Sequence, residues 1–411
     1  MTRDEALALD AADPLARFRA AFDLPDGVIY LDGNSLGPPP VALHGRMEAV
    51  TREEWGQGLV RSWNSARWIE APLRVGGKIA RLIGAKPSEV TVADSTTVSL
   101  FKLAAGALGL RPGRTTILSE AGNFPTDLYA LQGLAALLGP DRARLKAVEP
   151  EALPDAIDED TAAVVLTQVH YKTSRRWDLA AVTAQAHAKG ALMIWDLCHT
   201  AGALAADLNG ADADLAVGCG YKYLNGGPGA PAFLFVAERH QGQIASPLTG
   251  WMGHAEPFAF EDGYRPADDI RAMITGTPPI LGLAALEAGL DLQLQADPRA
   301  VEAKGLALCD LFIGEVEGRA ADPELKLVGP RDRDQRGLHV SFAHPAGYAL
   351  VQAMIARGII GDFRAPDIAR FGFSPLFLSH AQAWDAAHAL ADILAGREWD
   401  QPRFHARAAV T

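Results

Sequence analysis

A lysine, Lys222, stands in the stretch Gly218-Cys219-Gly220-Tyr221-Lys222-Tyr223-Leu224-Asn225-Gly226-Gly227-Pro228-Gly229, between an apolar run and a glycine-rich turn. Glycines let the backbone approach a flat ligand and take positive φ, so this amine can face a cleft and form a Schiff base with a carbonyl. Taken alone, the stretch fits a solvated surface lysine equally well. Asp196 closes the apolar run Leu192 to Asp196, 26 residues before the lysine, and His199 follows three residues on. Ser95, Thr96 and Thr97 follow another short apolar run and open a helical stretch. The free N–H groups and dipole of a helix start favour a phosphate, although plain N-capping leaves the same pattern. Phe124 and Asp127 follow a further run. A lysine, a strand-end carboxylate, an aromatic face and phosphate donors are together what pyridoxal phosphate requires.

Positioning these groups calls for a particular scaffold. Short apolar runs at 89–93, 115–119, 163–168, 192–196, 215–218 and 231–236 predict buried strands, with helices such as 98–108 and 179–189 between several of them. That alternation predicts an α/β fold: a mostly parallel sheet of the seven-stranded type sandwiched by helices. Ligands of such sheets bind beyond the carboxyl ends of the strands, which is where every residue named so far falls. An amphipathic helix is expected over 4–22, a short strand over 28–31, and then a turn cluster, Asp32 to Pro40, that is either a plain loop or an arm lining a cleft. Trp55, Trp63 and Trp68 follow in a polar, helical or irregular region. Near residue 300 the pattern changes to a smaller α+β unit: helix 298–317, strand 337–344, helix 347–357, strands near 359–363 and 368–372, and helix 381–396. The expected organisation is an N-terminal arm and helix (1–45) contributing to the small domain, a large cofactor-binding domain (46–295) and a small C-terminal domain (296–411).

The chain has 411 residues, 49% hydrophobic and 21% charged, with a formal charge of -12. No long basic run accompanies that acidity, so a small molecule is a better expected partner than nucleic acid or an anionic membrane. Cys198, Cys219 and Cys309 form no C-x-x-C pair, which argues against a disulfide framework and a thiolate metal site. The N-terminal residues carry acids throughout and no stretch reaches membrane-spanning length, so a cytoplasmic protein is expected.

Six segments make a resemblance specific: Tyr30 to Gly37, Asn123 to Asp127, Trp195 to Gly202, Cys219 to Asn225, Gly250 to His254 and Arg370 to Leu376. Across nearly its whole length the chain resembles the kynureninase family, fold type I pyridoxal phosphate enzymes of the aspartate aminotransferase-like group. The resemblance implies hydrolysis of L-kynurenine, and of its 3-hydroxy form, to anthranilate or 3-hydroxyanthranilate and L-alanine, in tryptophan catabolism and NAD biosynthesis. It implies Lys222 as the Schiff-base lysine and Asp196 as partner of the pyridine nitrogen. Thr96, Thr97 and Tyr221 would hold the phosphate, while Phe124, Asp127 and His199 surround the ring. Tyr221 is the candidate proton relay. Trp251 and Thr277 match residues that reach the phosphate from the neighbouring subunit of a homodimer. Arg370 matches the arginine that clamps the substrate carboxylate, with Arg364 a rival, and Asn34, Ser35 and Trp63 are expected at the substrate. Trp63 and Thr277 follow a bacterial pattern where animal relatives tend to have His and Asn, which favours kynurenine itself. A cysteine desulfurase of the same fold would need a reactive thiol on a mobile loop, and Cys309 sits in a predicted helix instead. A nucleotide-binding protein would suit the same sheet, but neither a P-loop nor a strand followed by G-x-G-x-x-G is present. A catalytically silent binding protein of this fold is the third alternative.

Overall fold

The computed structural model describes residues 1–407. They form two compact units, one of residues 43–168 and 177–294, the other of residues 1–42, 169–176 and 295–407.

The first unit is built on seven strands: β1 (Val90–Val92), β2 (Thr116–Glu120), β3 (Arg144–Val148), β4 (Thr161–Thr167), β5 (Leu192–Asp196), β6 (Leu215–Gly218) and β7 (Phe233–Val236). Their order across the sheet is β1-β7-β6-β5-β4-β2-β3. Six run parallel; β7 is antiparallel to both neighbours. The parallel strands therefore end on one edge. β4 and β5 are buried at every position, because helices cover both faces of a parallel sheet. Side chains alternate between those faces. Leu118, Val164, Leu166, Met193, Trp195 and Phe233 enter one core, while Ile117, Val165, Ile194, Val217 and Leu234 enter the other. The edge strand β3 is largely exposed, and it carries no apolar run in the sequence.

Local chemistry sets the helices between the strands. Ser95 caps helix Thr96–Leu110, its hydroxyl accepting the Val98 N–H at 3.4 Å. Asp178 does the same for helix Leu179–Ala188, accepting the Ala181 N–H at 2.9 Å. Helix Pro125–Leu138 begins with the proline, whose fixed φ suits a first turn. Among the described residues no helix is long and apolar enough to cross a membrane.

In the second unit an antiparallel sheet has the order Asp362–Arg364, Ile368–Gly372, His339–Ala343, Lys326–Val328. Helices Pro298–Arg319 and His380–Ala395 belong to the same unit. Phe312 from the first of them meets Phe371 and Phe373 at ring-centroid distances of 5.2 Å. Segment 169–176 belongs here too, through an isolated bridge from Arg175 to Arg336. Gly329 (φ +114°) makes room for it: a Cβ there would lie 1.9 Å from the Thr173 carbonyl oxygen. The helix expected over 4–22 is two elements, Arg3–Ala12 and a 3₁₀ turn Ala16–Ala21. Pro14 disfavours helical backbone at the preceding residue, and Asp13 is extended (φ -75°, ψ 113°). The strand expected over 359–363 likewise divides into Ile359–Ile360 and Asp362–Arg364 at Gly361.

At the edge of the large sheet away from the strand ends, Asp214 is buried and satisfied by four donors. It accepts the Met193 N–H at 2.8 Å, His187 and His240 Nε2 each at 2.7 Å, and Arg239 Nη2 at 2.8 Å. Burial opposes its ionisation, but bonds from His187, His240 and Met193 hold its carboxyl well below the carboxylate range. His187 is raised above the ordinary histidine value, first by its bond to Asp214. Replacing Asp214 by Asn should destabilise the fold by ~3–5 kcal/mol, the usual cost of breaking a buried charge pair. The two shifts act at opposite ends of the pH scale. Asp214 contributes above the ordinary carboxylate pKa and loses that as pH falls through its depressed value; His187 contributes fully below about 6.5 and loses it as pH rises through its raised value. Urea unfolding should therefore show a larger wild-type advantage over His187→Gln at pH 5.5 than at pH 9.

Candidate active site

The parallel strands deliver their following residues to one edge of the large sheet. Lys222 follows β6; its Nζ lies 3.0 Å from His199 Nε2 and 5.8 Å from the centroid of the Phe124 ring. His199 is buried and comes from the turn after β5. Asp196, the last residue of β5, is buried, and its Oδ1 accepts the Cys198 N–H at 2.7 Å. That bond fixes the carboxylate at the strand end.

Asp127 lies beside it, on the first turn of helix Pro125–Leu138. Burial first, and the neighbouring Asp196 carboxylate next, push its carboxyl well above the carboxylate range. Two neighbouring carboxylates resist joint ionisation, which favours the protonated form of Asp127. Thr167 at the end of β4 donates to Asn123 Oδ1 at 2.6 Å, and Asn123 Nδ2 approaches Asp127 Oδ2 at 3.4 Å. Tyr221 is half-buried, and burial raises its phenol pKa above the ordinary value. A protonated hydroxyl thus stands next to the lysine at neutral pH.

Thr96 and Thr97 open their helix behind an unusual turn. Asp94 takes a left-handed φ of +53°, and its carboxylate holds Lys102 Nζ at 2.6 Å and Thr275 Oγ1 at 3.0 Å. Lys102 is fully buried within the same helix and also donates to the Met273 carbonyl at 2.6 Å. Removing Lys102 would leave Asp94 uncompensated and release the turn that aims the first N–H groups of the helix. Sequence reading passed over Lys102 because its apolar neighbours mark the helix as core; a lone cation in such a run, eight residues after an aspartate, is the available signal.

Trp251 and Thr277 are exposed on this chain. Trp251 sits edge-on to Phe258 (5.6 Å) and stacked on Phe260 (6.5 Å), both exposed as well. Trp63 is half-buried and packs edge-on against Trp68 at 5.8 Å.

Arg370, Ser35 and Asn34 lie in the second unit. Arg370 is buried and heavily engaged: Nε and Nη2 grip Asp362 at 2.7 and 2.5 Å, Nη1 donates to the Tyr171 carbonyl at 2.7 Å, and Nη2 also reaches Ser35 Oγ at 2.8 Å. Arg364 is one-third exposed and keeps a buried Nε without a hydrogen-bond partner among the described residues. Asn34 is fully buried, with neither side-chain polar atom paired among the described residues. Gly372 allows this close approach, since a Cβ there would lie 1.7 Å from Asn34 Oδ1.

The donor set at the sheet edge suits pyridoxal phosphate: an amine over an aromatic face, a buried carboxylate fixed at a strand end, and an open helix start with two hydroxyls. In this strand order, that set defines a fold type I pyridoxal phosphate enzyme. Solved structures agree on the fold. A cysteine desulfurase from Thermococcus onnurineus NA1 superposes with a TM-score of 0.78 at 20% identity, covering 93% of this chain and 98% of that one. A mutant of the cystine C–S lyase C-DES, solved with glycine covalently linked to its pyridoxal phosphate cofactor, superposes with a TM-score of 0.76 at 20% identity over 91% and 99%. Sequence narrows the class. The chain is 51% identical to the kynureninases of Pseudomonas fluorescens and Burkholderia mallei (strain SAVP1) over the whole of each chain, and residues 301–390 match the kynureninase C-terminal domain. The chain belongs to the kynureninase family, and pyridoxal phosphate is its cofactor. Cys309 is buried in helix Pro298–Arg319 with its thiol pushed up to about 12 by burial, which suits packing and not desulfurase chemistry.

Purified protein loaded with pyridoxal phosphate should absorb near ~420 nm, as a protein-bound imine does. Lys222→Ala should lose that band while Asp127→Asn keeps it; a band that survives Lys222→Ala would assign the lysine wrongly.

Proposed function

We propose the following division of labour for the reaction that family membership assigns to this chain, the hydrolysis of L-kynurenine to anthranilate and L-alanine in tryptophan degradation. The observation that carries it is the meeting of Lys222, His199 and Phe124 with Asp196 and Asp127 at one strand edge. When bound, pyridoxal phosphate supplies an aldehyde that captures the substrate amine and a ring that accepts electrons from the α-carbon. Lys222 holds the cofactor and, once freed, carries the proton away from the α-carbon. Asp196 keeps the pyridine nitrogen protonated, and Asp127, itself protonated, supports that carboxylate. Thr96, Thr97 and the first N–H groups of their helix hold the phosphate, with Tyr221 as a further donor. After water adds to the γ-carbonyl and anthranilate leaves, Tyr221 relays protons, a task for which a hydroxyl kept protonated by burial is suited.

Arg370 receives the substrate α-carboxylate, assisted by Ser35 and Asn34, and Arg364 offers its unpaired Nε to the same group. An arginine fork suits a carboxylate bidentately. Trp63 faces the aryl group. Packed edge-on against Trp68 at 5.8 Å, it presents a mainly apolar indole, which favours kynurenine over 3-hydroxykynurenine. The working form is a cytoplasmic homodimer in which Trp251 and Thr277 complete the phosphate site of the partner; the exposure of both, Trp251 beside the exposed Phe258 and Phe260, supports that role.

Two experiments test this assignment. Arg370→Lys and Arg364→Lys should each raise KM for kynurenine, Arg370→Lys by roughly 10- to 100-fold, as expected for a lost charge-assisted hydrogen bond; an unchanged KM in both would remove the carboxylate site. Mixing inactive Lys222→Ala chains with impaired Trp251→Ala chains should restore activity above either parent, because one site of the mixed dimer then has both residues. No gain from mixing would place each site within one subunit.

A further inference from the structure

The second unit holds a balanced charge cluster with one acid in excess of its hydrogen-bonding needs. Asp362 is gripped by Arg370 and also accepts Arg364 Nη2 at 2.5 Å. Ser35 ties the three together, donating to Asp362 Oδ2 at 3.1 Å and accepting Arg370 Nη2 at 2.8 Å and Arg364 Nη2 at 3.2 Å. Asp32, on the turn that also carries Ser35, faces the same cluster. Asp362, Arg364, Arg370 and Tyr30 are titratable or charged groups near it, and its backbone carbonyl accepts the Ser35 N–H at 2.9 Å. Yet Asp32 Oδ1 is buried with no hydrogen-bond partner among the described residues.

Two carboxylates and two guanidiniums balance. A bound substrate carboxylate adds a third negative charge to two positive ones, and a buried cluster resists carrying the surplus. Asp362 cannot release it: although burial opposes its ionisation, Arg370 holds its carboxyl below the ordinary range. For Asp32 the balance is reversed, since burial first and Asp362 next push its carboxyl up to about 7.

We propose that Asp32 is a positioning residue that takes up a proton when the amino-acid carboxylate of the substrate binds, a role that presupposes carboxylate binding at Arg370 and Arg364 as proposed above. Proton uptake keeps the cluster neutral and leaves both arginines for the substrate. It also makes capture of the substrate pH-dependent without involving Lys222. With the free carboxyl titrating at about 7, KM for kynurenine should rise about tenfold between pH 6 and pH 8, the linkage expected of one proton.

The test compares wild-type holoenzyme with Asp32→Asn, which mimics the protonated acid. The variant should bind the cofactor, keep the low-pH KM and show less than about a twofold change in KM over the same range, with kcat at pH 6 reporting that the chemistry is intact. A wild-type-like KM profile in Asp32→Asn overturns the proposal. If the variant does not fold, competitive inhibition of the wild-type enzyme by propionate decides, since this carboxylate has no amine and stays ionised throughout. Tighter inhibition at pH 6 than at pH 8 supports proton uptake, and pH-independent inhibition overturns it. Failure is separable from failure of the carboxylate site: Arg370→Lys and Arg364→Lys with unchanged KM, or propionate that does not compete, removes the site itself, whereas raised KM in the arginine variants with an unaltered Asp32→Asn profile removes only the role of Asp32.

Discussion

The structure depends on keeping charge in dry places at the carboxyl edge of a parallel sheet. Strands buried on both faces are built mainly from apolar residues, with a few buried polar ones such as Thr91 and Ser119, so charged side chains gather where the strands stop. Asp196 ends β5, Thr167 ends β4, and Lys222 follows β6 within a few residues. Asp196, Asp127 and His199 are buried there, and a buried charge needs a specific partner. Asp196 is fixed by the Cys198 N–H, and the neighbouring Asp127 carboxyl is pushed above the carboxylate range, first by burial and then by Asp196. The outcome is a site whose charged groups are held in place by specific partners.

The same constraint explains the buried ion pairs away from the chemistry. Lys102 and Asp94 lie within one helix and its entry turn, and their contact stabilises a left-handed aspartate that an unsupported chain would avoid. Asp214 ties the helix Leu179–Ala188 to the turn after β7 through His187 and His240. Neither pair touches the proposed substrate, and each replaces solvation that the packed sheet removed. Their value lies in specifying turns: one aims the start of helix Thr96–Leu110, the other registers elements at the opposite end of the strands.

Much of this was legible from sequence because periodicity and strand-end chemistry are local signals. The runs at 192–196 and 215–218 are strands with those same bounds, and Asp196 and Lys222 lie on the edge where the parallel rule puts ligands. The edge strand Arg144–Val148 was invisible, since its exposed Arg144 and Lys146 give it no apolar run. The antiparallel direction of β7 was equally hidden: Phe233 to Val236 reads as a buried strand whichever way it runs. The break at Asp13 and Pro14 is written in the sequence, but the apolar spacing on both sides masks it. The attachment of segment 169–176 to the second unit rests on Arg175, Gly329 and Gly337, residues far apart in the chain, and no local pattern reports such contacts.

Long-range charge balance was the least legible feature. Arg370 by itself reads as a free carboxylate clamp, but the folded chain spends Nε, Nη1 and Nη2 on Asp362, Tyr171 and Ser35 before any substrate arrives. An arginine so engaged is oriented at no further entropic cost, which favours binding, but its charge is already neutralised, which opposes it. The two effects are reconciled only if the cluster can shed negative charge as the substrate brings its own. Asp362 is too tightly paired for that. Asp32, half-buried in the same cluster and with its Oδ1 unpaired among the described residues, is the group whose ionisation is cheapest to give up. Orientation by Asp362 and neutralisation at Asp32 are therefore complementary: one acid fixes the guanidinium in place, and the other restores the charge that the first consumed.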